Sequence, residues 1–170
     1  MTLHLVRHGR PLVRRGVPAA QWDLDPESYD DVWALRASGR LPTAAAWFTS
    51  PEPKAVQTAQ LLTDGEVGVL DEVREHERSG EWLDDFTGAV RRAFEHPEEP
   101  AAPGWEPMAV CRDRVVPAVR RVLDVHGDDD VVLVGHGTAW TVLVADLTGR
   151  PPDLQRWESL AMPDVLTVEP

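Results

Sequence analysis

Apolar residues gather in five short strand-like runs: Thr2–Val6, Ala46–Thr49, Val67–Leu70, Val131–Val134 and Val165–Val168. Several are apolar at consecutive positions, the pattern of strands covered on both faces of a sheet. Amphipathic stretches separate them. Pro26–Ser38 places Tyr29, Val32, Trp33 and Arg36 on one helical face and stops at Gly39. Pro53–Leu62 follows Ser50-Pro51 and is rich in alanine and glutamine. Leu83–Glu95 repeats Leu83, Phe86, Val90 and Phe94 at helical spacing. Pro107–His126 carries Val115, Val119, Val122 and Leu123 and stops at Gly127, with Pro117 predicting a kink or a later start. Thr138–Leu147 is apolar nearly all round and stops at Gly149, the pattern of a buried helix.

Strands alternating with helices predict an α/β fold: a three-layer α/β/α sandwich around a mostly parallel sheet. The chain of 170 residues fits one domain over 1–170, with a helical and loop insertion around 80–107. Within it, the Pro- and Glu-rich stretch Glu95–Pro107 reads as a surface loop between two helices.

Composition narrows the partners. The formal net charge is −12, which argues against nucleic-acid and anionic-membrane binding. An anionic ligand must therefore be met by a local basic cluster. One cysteine, Cys111, leaves no internal disulfide and no cysteine-based zinc site. Histidine spacings of the metal-ligating kind are absent, so no metal is expected. The opening MTLHLVRHGR lacks the apolar length of a secretory signal, and no run approaches the roughly 20 residues of a membrane span, so a cytoplasmic location is expected.

In open α/β sheets, ligands sit beyond the carboxyl ends of the strands. Three segments place unusual polar residues there: Arg7-His8-Gly9, then Ser50-Pro51 with Lys54 one turn into a helix, then Gly135-His136-Gly137-Thr138. If these strands are parallel, His8, His136, Arg7 and Lys54 converge on one edge and make an anion site. Phosphoryl transfer suits this set. A neutral imidazole is nucleophilic enough to attack phosphorus, fixed cations stabilise the equatorial oxygens, and a carboxyl of raised pKa supplies the leaving-group proton.

With these blocks in place the chain resembles the histidine phosphatase superfamily, which includes the cofactor-dependent phosphoglycerate mutases. A strand followed by Arg-His-Gly matches LHLVRHG at Leu3–Gly9. Ser-Pro followed by a basic residue and Ala-x-Gln-Thr-Ala matches TSPEPKAVQTA at Thr49–Ala59. A late strand followed by His-Gly matches VVLVGHG at Val131–Gly137. The resemblance implies a phosphoglycerate mutase-like fold. It implies His8 as the nucleophile that becomes phosphorylated, and Arg7 and His136 as holders of the phosphoryl oxygens. Lys54 stands where the family has its second arginine, which keeps the charge and loses the two-pronged grip. Glu75 matches the family's acid best by its place after Val73-Arg74, with Glu77 as the alternative.

Where the family has an acidic residue after Arg-His-Gly, this chain has Arg10. With Arg14 and Arg15 it supplies the local basic cluster, and Arg10 is a candidate contact for a second anionic group on the substrate. His4 reads as a strand histidine, and His76, His96 and His126 read as solvated. Trp22, Trp82 and Trp105 fall in loop-like segments and are candidates for the pocket mouth. The leading expectation is a metal-independent, cofactor-free phosphatase acting on a small phosphorylated substrate through phospho-His8. The alternatives are a phosphate-binding or regulatory protein with weak catalysis, a mutase-type phosphotransferase, and a phosphohistidine protein phosphatase.

Overall fold

A computed structural model describes residues 1–78 and 82–170. Five strands form one sheet: β1 (Leu3–Arg7), β2 (Ala46–Thr49), β3 (Val67–Val69), β4 (Val131–Gly135) and β5 (Asp164–Val168). Their order is β3-β2-β4-β1-β5. Neighbours are parallel except β5, which runs antiparallel to β1. β4 lies at the centre with every residue buried, which explains its unbroken apolar run Val131–Val134.

Alternation along the central strands feeds two cores. Leu3, Leu5, Val131 and Leu133 face one side and pack with α4 (Met108–His126) and α5 (Gly137–Thr148). Val6, Val132 and Val134 face the other and pack with α1 (Tyr29–Ala37) and α2 (Pro53–Leu62). The expected α/β/α layering around a mostly parallel sheet is therefore observed. A smaller cluster joins Ala89 and Val90 of α3 (Phe86–Glu95) to Trp105 and to Trp157 of α6 (Leu154–Ser159).

Four details differ from the sequence reading. α1 buries Val32 and Leu35, whereas Trp33 is 49% exposed. The small aliphatic pair fits the tight α1–α2 packing, and the Trp33 ring stays outside against Tyr29, 6.1 Å away. α3 begins at Phe86, not Leu83, because the Asp85 carboxylate caps it by accepting from the Gly88 N–H at 2.9 Å. α4 begins at Met108 and runs through Pro117, so it does not take the later start. Pro117 lies on its exposed side, so the carbonyl left without a donor meets solvent. Finally, α6 carries too few residues to show a period in sequence. Among the described residues, no helix is long and apolar enough to cross a membrane.

Candidate active site

β1, β2 and β4 end at the same edge of the sheet. Arg7 pairs with Gly135 in register. Just beyond, the His8 N–H donates to the Gly135 carbonyl at 2.9 Å and the Ser50 N–H to the Val134 carbonyl at 3.0 Å. The ladder thus carries on for one residue and sets His8, Ser50 and His136 side by side. Glycine is required next to both histidines by close approach. A Cβ on Gly9 would lie 2.6 Å from Ser28 Oγ and 2.7 Å from Leu24 Cδ1. A Cβ on Gly135 would lie 2.5 Å from the Trp140 ring, whose indole N–H donates to the Val6 carbonyl at 2.9 Å.

Both imidazoles are buried and neutral. The His8 Nδ1 lies 2.6 Å from its acceptor, the Gly9 carbonyl, which fixes the proton on Nδ1 and leaves the Nε2 lone pair outward. Among the described residues Nε2 has no hydrogen-bond partner. Burial, then the proximity of His136 and Lys54, holds His8 well below the ordinary histidine value. The His136 ring meets it edge to face, with centroids 5.2 Å apart. Burial, outweighing the attraction of Glu75 and helped by Lys54, Arg78 and Arg7, brings His136 down to about 3. Its Nε2 lies 2.7 Å from Ser50 Oγ, and its buried Nδ1 has no partner among the described residues.

Two carboxylates enter the same space. Glu75 caps α5: its Oε1 accepts the Ala139 N–H at 3.0 Å and its Oε2 the Thr138 N–H at 3.3 Å. His136, the residue at the cap position, makes no side-chain bond to the helix, so Glu75 takes that place. Burial alone would raise the Glu75 carboxyl. Arg78, His136 and the His76 N–H outweigh burial and bring it down to about 2. Glu52, on the loop before α2, is buried and ion-paired with Lys54. Its Oε1 accepts the Glu75 N–H at 2.8 Å and lies 3.4 Å from His136 Nε2. With His136 neutral, that last approach is a polar contact and not an ion pair.

The cations are unequal. Lys54 is buried, donating to the Ala19 carbonyl at 2.7 Å as well as to Glu52. Arg7 donates from Nη1 to the Leu160 carbonyl at 2.6 Å, and its buried Nε has no partner among the described residues. Arg78 donates to Thr138 Oγ1 at 2.7 Å, and its guanidinium stacks on Phe86 and Trp105 at 4.8 and 5.0 Å. Arg10 is half-exposed and held by Asp31 at 3.1 Å and by the Glu27 carbonyl at 2.8 Å, so none of its contacts is with the histidines. Glu77 is exposed and pairs with Arg74 at 2.6 Å, away from Glu75's partners.

The structure therefore brings Arg7, His8, Lys54, Glu75 and His136 together and leaves Arg10 and Glu77 outside. The sequence reading missed Glu52 and Arg78, since neither carries a periodicity or motif signal of its own. His76, expected to be solvated, is 2% exposed, with Nε2 2.7 Å from the Glu106 carbonyl and its ring edge-on to Trp105. It supports the segment that carries Glu75 and Arg78. Trp105 is buried, Trp82 is 62% exposed beneath Arg15 at 5.2 Å, and the Trp22 indole donates to the Val17 carbonyl at 2.9 Å. Cys111 is no competing nucleophile, because burial pushes its thiol up to about 12. Gly80, the first residue of the expected insertion, lies outside the described residues.

Comparison with known proteins agrees with the fold. Bacillus stearothermophilus YhfR superposes with a TM-score of 0.77 at 24% identity, covering 99% of this chain and 90% of that one. The mycobacterial glucosyl-3-phosphoglycerate phosphatase superposes with a TM-score of 0.77 at 21% identity, covering 98% and 88%. The Entamoeba histolytica phosphoserine phosphatase in complex with phosphoserine gives 0.76 at 17%, covering 98% and 89%. No functionally curated protein matches the chain by sequence. The family model of the histidine phosphatase superfamily (branch 1) matches residues 3–169, and the chain belongs to that superfamily.

Proposed function

We propose that the protein hydrolyses a small phosphomonoester through a phosphohistidine on His8. The observation that carries this reading is the state of His8: neutral, locked by Nδ1 to the Gly9 carbonyl, with Nε2 free beside His136 and Lys54. Nε2 attacks phosphorus as the ester P–O bond breaks. Arg7 Nε and His136 Nδ1, both buried without a partner among the described residues, hold phosphoryl oxygens, and Lys54 adds charge. Arg10 reaches a second anionic group only by exchanging Asp31 for it.

Glu75 gives the leaving oxygen its proton and then takes one from the attacking water. Free Glu75 is ionised, so the proton enters with the substrate. A phosphomonoester monoanion releases its second proton near pH 6. Its phosphoryl charge offsets Arg78, the cation that lowers Glu75 most, which raises the carboxyl so that it holds that proton. Water attacks the phosphohistidine, the P–N bond breaks, and phosphate and neutral His8 are regenerated. Phosphoserine in the Entamoeba relative's complex is a ligand of the proposed size class.

The Glu52–Lys54 pair favours a second reading, a phosphate-binding protein with weak catalysis, because it takes up a cation that catalysis would use. The test is hydrolysis of an aryl phosphate in EDTA, beside the His8→Ala variant. Metal-independent turnover that vanishes in the variant supports the hydrolase. Equal turnover in both proteins overturns it.

A further inference from the structure

Lys54 is the residue that should hold phosphate, and it already holds a carboxylate. Glu52 and Lys54 are ion-paired with side chains 7% and 5% exposed, so solvent screens the pair little. The same Glu52 carboxylate lies 3.4 Å from His136 Nε2 and accepts the Glu75 N–H at 2.8 Å. It therefore touches a cation, a histidine and the acid-bearing segment of one pocket. An exposed surface pair would not do this, and a purely structural partner for Lys54 would have no need to face His136.

We propose that Glu52 is an internal anion that competes with the phosphoryl group for Lys54, and so sets the site's affinity for phosphate. The inference rests on the phosphoryl-transfer reading of the site. Arg7 faces Glu75 and Asp164, and Arg78 faces Glu75, Glu52 and Glu106. Glu52 is the carboxylate ion-paired with Lys54. The arriving phosphoryl group must displace the Glu52 carboxylate from Lys54 or share the ammonium with it. Either way part of the attraction is cancelled, which weakens retention of substrate and of product phosphate alike. Fast release of inorganic phosphate is the functional consequence, since a pocket with uncompensated cations in a low-dielectric site binds its product tightly.

Glu52 acts through Lys54, so it is a positioning and affinity-setting residue. Glu52→Gln keeps an acceptor for the Glu75 N–H and removes the charge. Calorimetric titration of the full chain with inorganic phosphate is the experiment, with thermal melts confirming that each protein is folded. Dissociation constants about tenfold lower in Glu52→Gln than in wild type are expected, the size of effect one nearby charge has in a partly desolvated site. Loss of a merely structural contact would weaken binding or leave it unchanged, and either result overturns the inference. Should Glu52→Gln not fold, Glu52→Asp withdraws the carboxylate from Lys54 by one methylene, and about threefold tighter binding is expected. Unchanged or weaker binding there counts equally against it. Phosphate binding by wild type that neither variant strengthens overturns this inference alone. Phosphate binding by none of the proteins overturns the phosphoryl-transfer reading with it.

Discussion

Glu75 caps a helix that begins far from it in sequence: its carboxylate accepts the Ala139 N–H at 3.0 Å, in the first turn of α5. The N-terminus of α5 is where the sequence placed an anion site, and a side chain of the protein itself occupies it. The helix dipole and the free N–H groups favour the ionised carboxylate. The same helix starts at His136, so the acid and the second histidine are held by one element.

The cap makes stability depend on pH in a defined direction. Glu75 titrates at about 2 in the folded protein against an ordinary 4.5. A lowered folded value means the stabilisation is complete above pH 4.5 and is lost as pH falls towards 2. Glu75→Gln lacks this contribution at any pH. Denaturant unfolding should show wild type ahead of the variant at about pH 6, with the gap shrinking by about pH 3. A gap that stays constant or widens on acidification contradicts the account.

Lys54 and Glu52 should behave as a couple. Lys54→Met strands a buried carboxylate and should cost about 3–5 kcal/mol of stability. It should also lower kcat/KM by about a hundredfold, the usual scale for one donor to the transition-state charge. Adding Glu52→Gln to Lys54→Met should restore most of the stability while activity stays below that of wild type. Unfolding and kinetics on the single and double variants check this. Recovery of both quantities together would place Lys54 outside the phosphoryl site.

His8 and His136 should not titrate in the ordinary histidine range. Burial lowers both, His8 well below 6.5 and His136 to about 3. Nitrogen-15 NMR of histidine-labelled protein should find both rings neutral at pH values above about 6, with the His8 proton on Nδ1. A midpoint at or above 6.5 for His8 would remove the neutral nucleophile on which the mechanism depends.

Much of this was legible in the chain for physical reasons. Residues that sit at strand ends announce themselves, because Val131–Val134 must be a buried strand and Gly135-His136-Gly137 must then leave it. The three strand-end blocks accordingly located Arg7, His8, Lys54 and His136. Burial of the wrong helical face was harder to avoid. Trp33 outweighs Leu35 in hydrophobic area, yet the tight α1–α2 packing accepts the smaller side chain. Glu52 had no signal at all. In Ser50-Pro51-Glu52-Pro53 it reads as a solvated loop carboxylate, and only the fold places Lys54 and His136 against it. Arg78 and His76 were hidden in the same way, inside a run of charges that resembles a solvated surface. Their partners, Thr138 and Glu106, come from elsewhere in the chain.

The central claim is a covalent bond between His8 Nε2 and phosphorus, and trapping it is the direct test. The protein is mixed with an aryl phosphate and quenched in base, where phosphohistidine survives. Peptide mass spectrometry then locates the added phosphoryl group. The account predicts phosphorylation of the peptide carrying His8, within the first turnover, and none in His8→Ala. Turnover without that adduct, or an adduct that persists in His8→Ala, would contradict it.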